Sequence, residues 1–132
     1  MLFDNFCAIS KKSNYTLALN IKSDGLAIKV KEIINTNNIK KWFVFDMSIP
    51  DMISYLKIGC PVFTRLSDIE PTPFLLNESE GVWLDAFQSD WYNEKTIIEL
   101  LNIGKKVCIV SPELHGREYR SCLLYTSDAA DE

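Results

Sequence analysis

Five short apolar runs, rich in β-branched and aromatic residues, constrain this chain more than any other feature. They are LALNIK (17–22), WFVFDM (42–47), PVFTRL (61–66), GVWLDAF (81–87) and KVCIVS (106–111). Their starts lie roughly 20–25 residues apart, the repeat length of a strand followed by a returning helix. The intervening segments carry helical signals. Leu26, Val30, Ile33 and Ile34 form a stripe between the turn pair Asp24-Gly25 and the polar stop NTNN. Ser48 can cap a helix with Pro50 in its first turn, ended by Gly59; Asn93 can cap another, ended by Gly104. Segment 67–80, SDIEPTPFLLNESE, contains two prolines and reads as a loop or a broken crossover. Strands alternating with helices predict an α/β fold with a parallel sheet and right-handed crossovers. The runs are apolar nearly throughout, as strands covered on both faces are. Five units fit an open doubly wound sheet or part of a closed barrel; a complete (β/α)8 barrel needs roughly 250 residues.

Composition narrows the partners. The 132 residues are 47% hydrophobic and 24% charged, with a formal net charge of -4 and no basic run, so nucleic acid is not an expected partner. No apolar run approaches the roughly 18 residues of a spanning helix, and MLFDNFCAISKK lacks a signal peptide's apolar stretch. A cytoplasmic location is therefore the expectation. Cys7, Cys60, Cys108 and Cys122 form no CxxC pair and read as reduced, buried thiols. Residues 122–132, CLLYTSDAADE, stand apart. They resemble the in-frame translation of a transposon adaptor used in sequencing libraries, and the reading treats them as a non-native tail. Without that tail 14 basic residues face 15 acidic ones, and the fold-bearing domain is residues 1–121.

Polar residues gather where the runs end. They are Asn20, Lys22 and Asp24; Asp46 and Ser48; Thr64 and Arg65; Asp85, Gln88, Asp90 and Trp91; then Ser111, Glu113, His115 and Arg117. This C-terminal edge is where parallel α/β folds bind ligands. Period-two geometry would place Asn20 with Lys22, Val44 with Asp46, and Ser111 with Glu113 on shared faces. Many of these residues have plain structural readings. Asp24 beside Gly25 suits a turn, Asp90 and Asn93 suit caps, Thr64 suits packing, and Arg117 suits an exposed surface. Asp46 and Asp85 interrupt apolar runs, so each needs a cation or donor nearby. Lys22 and Arg65 are candidate partners, and both a structural ion-pair network and an anion site remain open. His115, the single histidine, follows SPEL at a strand exit; it can be structural, or an acid, base or phosphate donor. No GxGxxG, Walker A or GxSxG motif and no zinc-ligand spacing occurs.

LALNIKSDGL, WFVFDMSIPDM, VFTRLSDIEP, GVWLDAFQSDW and GKKVCIVSPELHGR together resemble the glycerophosphodiester phosphodiesterases. These belong to the superfamily of phosphatidylinositol-phospholipase-C-like barrels. The resemblance covers about residues 1–121, and FDMSIPDM and SPELHGR are its most specific phrases. It implies the C-terminal part, about five βα units, of a (β/α)8 TIM barrel: strands four to eight. It further implies metal-assisted phosphodiester cleavage with a divalent cation (Mg or Ca), acid–base help from histidine and a small phosphodiester substrate. The family's His-Arg motif, acidic ligand pair and second histidine lie on its first three strands and have no counterpart here. Its mid-barrel Glu-x-Lys corresponds to Asn20-Ile21-Lys22, so Lys22 is carried over and Asn20 replaces the metal-binding glutamate. The implied site is His115 and Lys22 as catalytic residues, Arg65, Asp46, Asp85 and Glu113 toward substrate, and Asn20 toward metal.

These residues are expected to converge at one mouth of a curved sheet. The parent would be a phosphoric diester hydrolase and this chain, by itself, inactive. The alternative is a barrel that binds a phosphorylated ligand without cleaving it. A complete receiver-like domain is disfavoured, because acidic residues do not cluster after the first strand. Three missing strands would also leave Ile21 and Val44 more exposed than a closed barrel permits.

Overall fold

The computed structural model describes residues 2–117 and divides the chain into two compact units, residues 1–62 and 63–132. The tail assigned to residues 122–132, with Cys122, lies outside the described residues. The architecture is α/β, and every strand pair among the described residues is parallel.

The first unit runs α1 (Phe3–Ser10), β1 (Leu17–Asn20), α2 (Ala27–Thr36), β2 (Trp42–Phe45) and α3 (Ile49–Lys57). β1 pairs with β2, Leu17 opposite Trp42 and Asn20 opposite Phe45. The other edge of β2 meets the chain again at a Val44–Val62 bridge. α2 buries Ala27, Val30 and Ile34, a helical spacing; Leu26 sits at the cap position and is exposed. Ser48 caps α3, its Oγ accepting the Asp51 N–H at 3.3 Å, with Pro50 in the first turn. The helix stops at Gly59, whose φ of 75° suits a residue without Cβ.

The second unit runs β3 (Phe63–Leu66), β4 (Gly81–Leu84), α4 (Glu94–Asn102), β5 (Lys106–Ile109) and a 3-10 turn, Pro112–His115. The strands lie in chain order β3-β4-β5. Segment 67–80 forms no regular helix or strand. Its backbone groups are met by side chains instead: the Thr64 hydroxyl donates to the Phe74 carbonyl at 2.7 Å, and Ser67 Oγ accepts the Glu70 N–H. Asn93 and Thr96 form a reciprocal capping box at the start of α4. Val82, Leu84, Ile97 and Leu100 form the core, joined by Leu66 and Tyr92. Gly81 has no room for a side chain: a Cβ there would stand 2.6 Å from the Phe63 ring and 2.7 Å from the Lys106 carbonyl oxygen.

Three expectations are corrected. Each strand is four residues long, and all but β3 end before their apolar runs do. Asp46 follows β2 at φ 69°, a left-handed turn that breaks the alternation, so Val44 and Asp46 share no strand face. Ser111 and Glu113 share none either, because Pro112 has no N–H for a ladder and opens the 3-10 turn. Ile21 and Val44 are buried, at 8% and 0% exposure, rather than laid open. β2 is flanked by β1 on one side and by Val62 on the other, which encloses Val44 within its own unit.

Candidate functional site

In the second unit, Leu84 ends β4 and the next residue, Asp85, turns a carboxylate into a buried position, 6% exposed. Its own N–H still donates to the Leu66 carbonyl, which holds the residue at the strand end. Asp85 Oδ1 accepts the Ala86 N–H at 2.7 Å and lies 2.7 Å from His115 Nε2. The histidine arrives by a different route. β5 ends at Ile109, and the turn Pro112–His115, closed by Gly116 at φ 70°, delivers the imidazole back to the end of β4. The Phe87 ring lies against it, centroids 4.4 Å apart at 38°. Trp91 Nε1 donates to the Asp85 carbonyl at 2.7 Å, so it braces the site while packing on the core.

The loop carrying Phe87 is pinned twice. Asp68, just past β3, accepts three consecutive backbone N–H groups: Phe87 at 2.9 Å, Gln88 at 2.7 Å and Ser89 at 3.0 Å. Burial pushes the Asp68 carboxyl up, but those donors outweigh it and hold it below its ordinary 3.8. From the other side, the Arg117 guanidinium donates to the carbonyls of Ala86 (3.0 Å) and Ser89 (3.3 Å) and pairs with Asp90. Asp68 escaped the sequence reading, and Arg117 was read as merely exposed. Their available signal was position: Asp68 stands two residues past one strand, and Arg117 follows the turn bearing the single histidine. What they hold is backbone, which residue type alone does not announce.

In the first unit, Lys22 Nζ lies 2.8 Å from Asp46 Oδ2, with side chains 72% and 31% exposed. Asp46 therefore has the cation its position demanded, but in solvent, where such a pair contributes about 0–1 kcal/mol. The Ser48 hydroxyl donates to Asp24 Oδ1 at 3.0 Å, and the Gly25 N–H donates to Asp51 Oδ1 at 3.1 Å. Asp24 thus joins its turn to the Ser48 cap of α3, a contact 24 residues away in sequence, where a local turn bond was expected. Asn20, the last residue of β1, is exposed.

The sequence-derived residues thus separate by unit. Asn20, Lys22 and Asp46 belong to the first; Arg65, Asp85, Glu113 and His115 belong to the second. The close pairings are Lys22 with Asp46 and Asp85 with His115. Arg65 Nε donates to Glu70 Oε2 at 3.2 Å, and Glu113 is exposed on the 3-10 turn. Among the described residues no three His, Cys, Asp or Glu side chains group as a metal site. The Asp46 carboxylate, one residue past Phe45, which pairs with Asn20, already holds an ammonium. The described residues do not fit a divalent cation by themselves. Cys7 and Cys60 are buried thiols and Cys108 is half-buried; burial pushes the Cys7 and Cys60 thiols up, which disfavours the reactive thiolate. Among the described residues no helix is long and apolar enough to cross a membrane. No family model matches the chain, and no curated protein or solved structure matches it.

Proposed function

We propose that this chain supplies five consecutive βα units of a (β/α)8 barrel of the glycerophosphodiester phosphodiesterase kind, and that the barrel cleaves a small phosphodiester. Parallel strands paired in chain order, β1 with β2 and β3 with β4 with β5, support the barrel reading. The single observation that carries the chemistry is the Asp85–His115 pair at a parallel strand's C-terminal edge.

In that reading the Asp85 carboxylate accepts the Nε2 proton and sets both the tautomer and the direction of the ring. Nδ1 is then the nitrogen that exchanges a proton with substrate. Attack of water or a hydroxyl on phosphorus breaks the bond to the departing alcohol. The nucleophile gives its proton to Nδ1 as it attacks, and the departing alcohol oxygen keeps the electron pair of the broken bond and takes that proton from Nδ1. Phe87 stacks on the imidazole and limits its rotation, and Asp68 and Arg117 fix the loop that carries Phe87. Within the second unit Arg65, steadied by Glu70, is the cation for phosphate; Lys22, paired with Asp46 in the first unit, is the cation that the family resemblance carries over. Glu113 faces the alcohol part of the substrate.

The test is turnover of bis(p-nitrophenyl) phosphate, with and without Mg or Ca, by the product of the complete reading frame. His115→Ala and Lys22→Ala should each lower it by about 10²-fold or more. The 132-residue chain alone is expected to show none. Turnover in the full product that survives both substitutions would remove the assignment. A second reading has its own support: Asn20 offers a neutral carbonyl where the resembled family has a glutamate. A phosphodiester that binds the full product but is never cleaved would establish that reading, a non-catalytic barrel, instead.

A further inference from the structure

The first unit also holds a cavity of about 370 Å³, a volume within the range of small-molecule sites. It opens at the N-terminal edge of β1 and β2, the strand ends opposite Asn20 and Asp46. Leu17, the first residue of β1, lines it, and so do Lys40 and Lys41, which immediately precede β2. Its charge is one-sided. Lys11, Lys40 and Lys41 are among the lining residues, and among the described residues no carboxylate is. The Lys41 ammonium is held by a neutral acceptor, Asn14 Oδ1, at 3.2 Å, so its charge is positioned without being cancelled. Asp4, two residues before Phe6, is occupied by the Asn37 amide at 2.6 Å. The C-terminal end of α1 also reaches this cavity, and its carbonyls would repel an anion if bare. They are capped instead: Cys7, Ile9 and Ser10 carbonyls accept from the N–H groups of Lys11, Lys12 and Ser13, and the Ser13 hydroxyl adds a second bond to Ser10. Phe6, Leu17 and Ile39 give the remaining wall an apolar surface.

We infer that this cavity binds a small phosphomonoester, its dianion on Lys11, Lys40 and Lys41 and its apolar part on Phe6, Leu17 and Ile39. Three lysines among the lining residues suit a dianion better than a carboxylate, and the apolar lining excludes bare phosphate as the best ligand. The site owes nothing to the Asp85–His115 pair and stands or falls apart from the proposed hydrolase.

Phenyl phosphate, titrated into the 15N-labelled full chain at low salt, tests it. Backbone shifts should concentrate in residues 10–17 and 38–41. Benzyl alcohol, which has the ring without the charge, should produce none at the same concentration. Each of Lys11→Gln, Lys40→Gln and Lys41→Gln should weaken binding about 3–10-fold, and raising salt from 50 to 200 mM should weaken it similarly. These lysines are exposed, so the variants should retain the wild-type circular dichroism. Phosphatidylcholine vesicles with and without phosphatidic acid identify the source. Co-sedimentation only with phosphatidic acid assigns the monoester to a lipid head group, and binding of phenyl phosphate alone assigns it to a soluble compound. Absent shifts, shifts centred elsewhere, equal shifts with benzyl alcohol, or undiminished binding by the triple variant would each overturn the inference.

Discussion

The two units place the same residue at the same point and obtain opposite results. Asp46 is the first residue after β2, and Asp85 is the first after β4. Asp46 adopts φ 69° and is half-buried, its side chain 31% exposed, where the exposed Lys22 meets it. Asp85 stays buried and meets a histidine brought back from beyond β5. Charge differs as well: among the described residues the first unit has eight lysines against five carboxylates, the second five basic residues against nine acidic ones. A carboxylate that interrupts an apolar strand therefore signals a partner, but not whether the pair is solvated and weak or enclosed and oriented. Only the enclosed pair can hold a proton carrier in one direction.

The largest effect should come from neutralising each carboxylate in turn. Asp85→Asn should cost about 2 kcal/mol, as a buried charged hydrogen bond is weakened, whereas Asp46→Asn should cost less than about 1 kcal/mol. Urea midpoints measure both, and the 15N shifts of the single imidazole report whether its tautomer is released in the first variant only. Equal costs would erase the contrast. Next, Gly81→Ala should destabilise by about 1–3 kcal/mol, since its Cβ would strike the Phe63 ring and the Lys106 carbonyl at the first rung of β3-β4-β5. The exposed Gly25, whose absent Cβ would meet nothing, tests a different cost, that of φ 82° alone.

Two smaller effects are pH-dependent and have opposite signs. Asp68 is held below its ordinary pKa by the loop amides. Its contribution is therefore present above about pH 4 and is lost as pH falls through the lowered folded value. Asp68→Asn should flatten the acid limb of stability, read as urea midpoints from pH 5 downward. An unchanged limb would mean the amides do not depend on the carboxylate's charge. In the first unit, burial and then the Asp51 and Cys60 charges push Tyr55 up to about 12. Stability from keeping this phenol neutral is intact below about pH 10 and declines as pH rises toward 12. Tyr55→Phe should remove that decline. At pH 7 it should change stability by less than about 0.5 kcal/mol, because the buried hydroxyl has no hydrogen-bond partner among the described residues. A large loss at pH 7 would reveal a partner, such as a bound water.

Much of the fold was legible before any coordinates. Helix α3 needs Ser48, Pro50 and Gly59 at positions where capping and backbone φ leave few alternatives, and α4 needs Asn93 and Gly104 likewise. Segment 67–80 read as irregular because its prolines and polar residues offer no helical face, and it is irregular. The candidate site was legible only as a roster. Lys22, Asp46, Asp85 and His115 were marked by standing at strand ends, but Arg65 answers Glu70, five residues on, and Arg117 reaches across to residues 86–90.

The sequence by itself determined the order of the five strands and of α2, α3 and α4, their parallel sense, and the caps of α3 and α4. Those follow from hydrophobic period, turn residues and local hydrogen bonds within a few positions. Tertiary structure alone decided which carboxylate is buried, which histidine nitrogen it holds, and that Asp68 and Arg117 clamp the loop between them. Those contacts join residues about twenty to thirty positions apart. Such pairings depend on where the strands stop and how the chain turns there, and Asp46 and Asp85 had the same local setting until the backbone turned one outward and kept the other in.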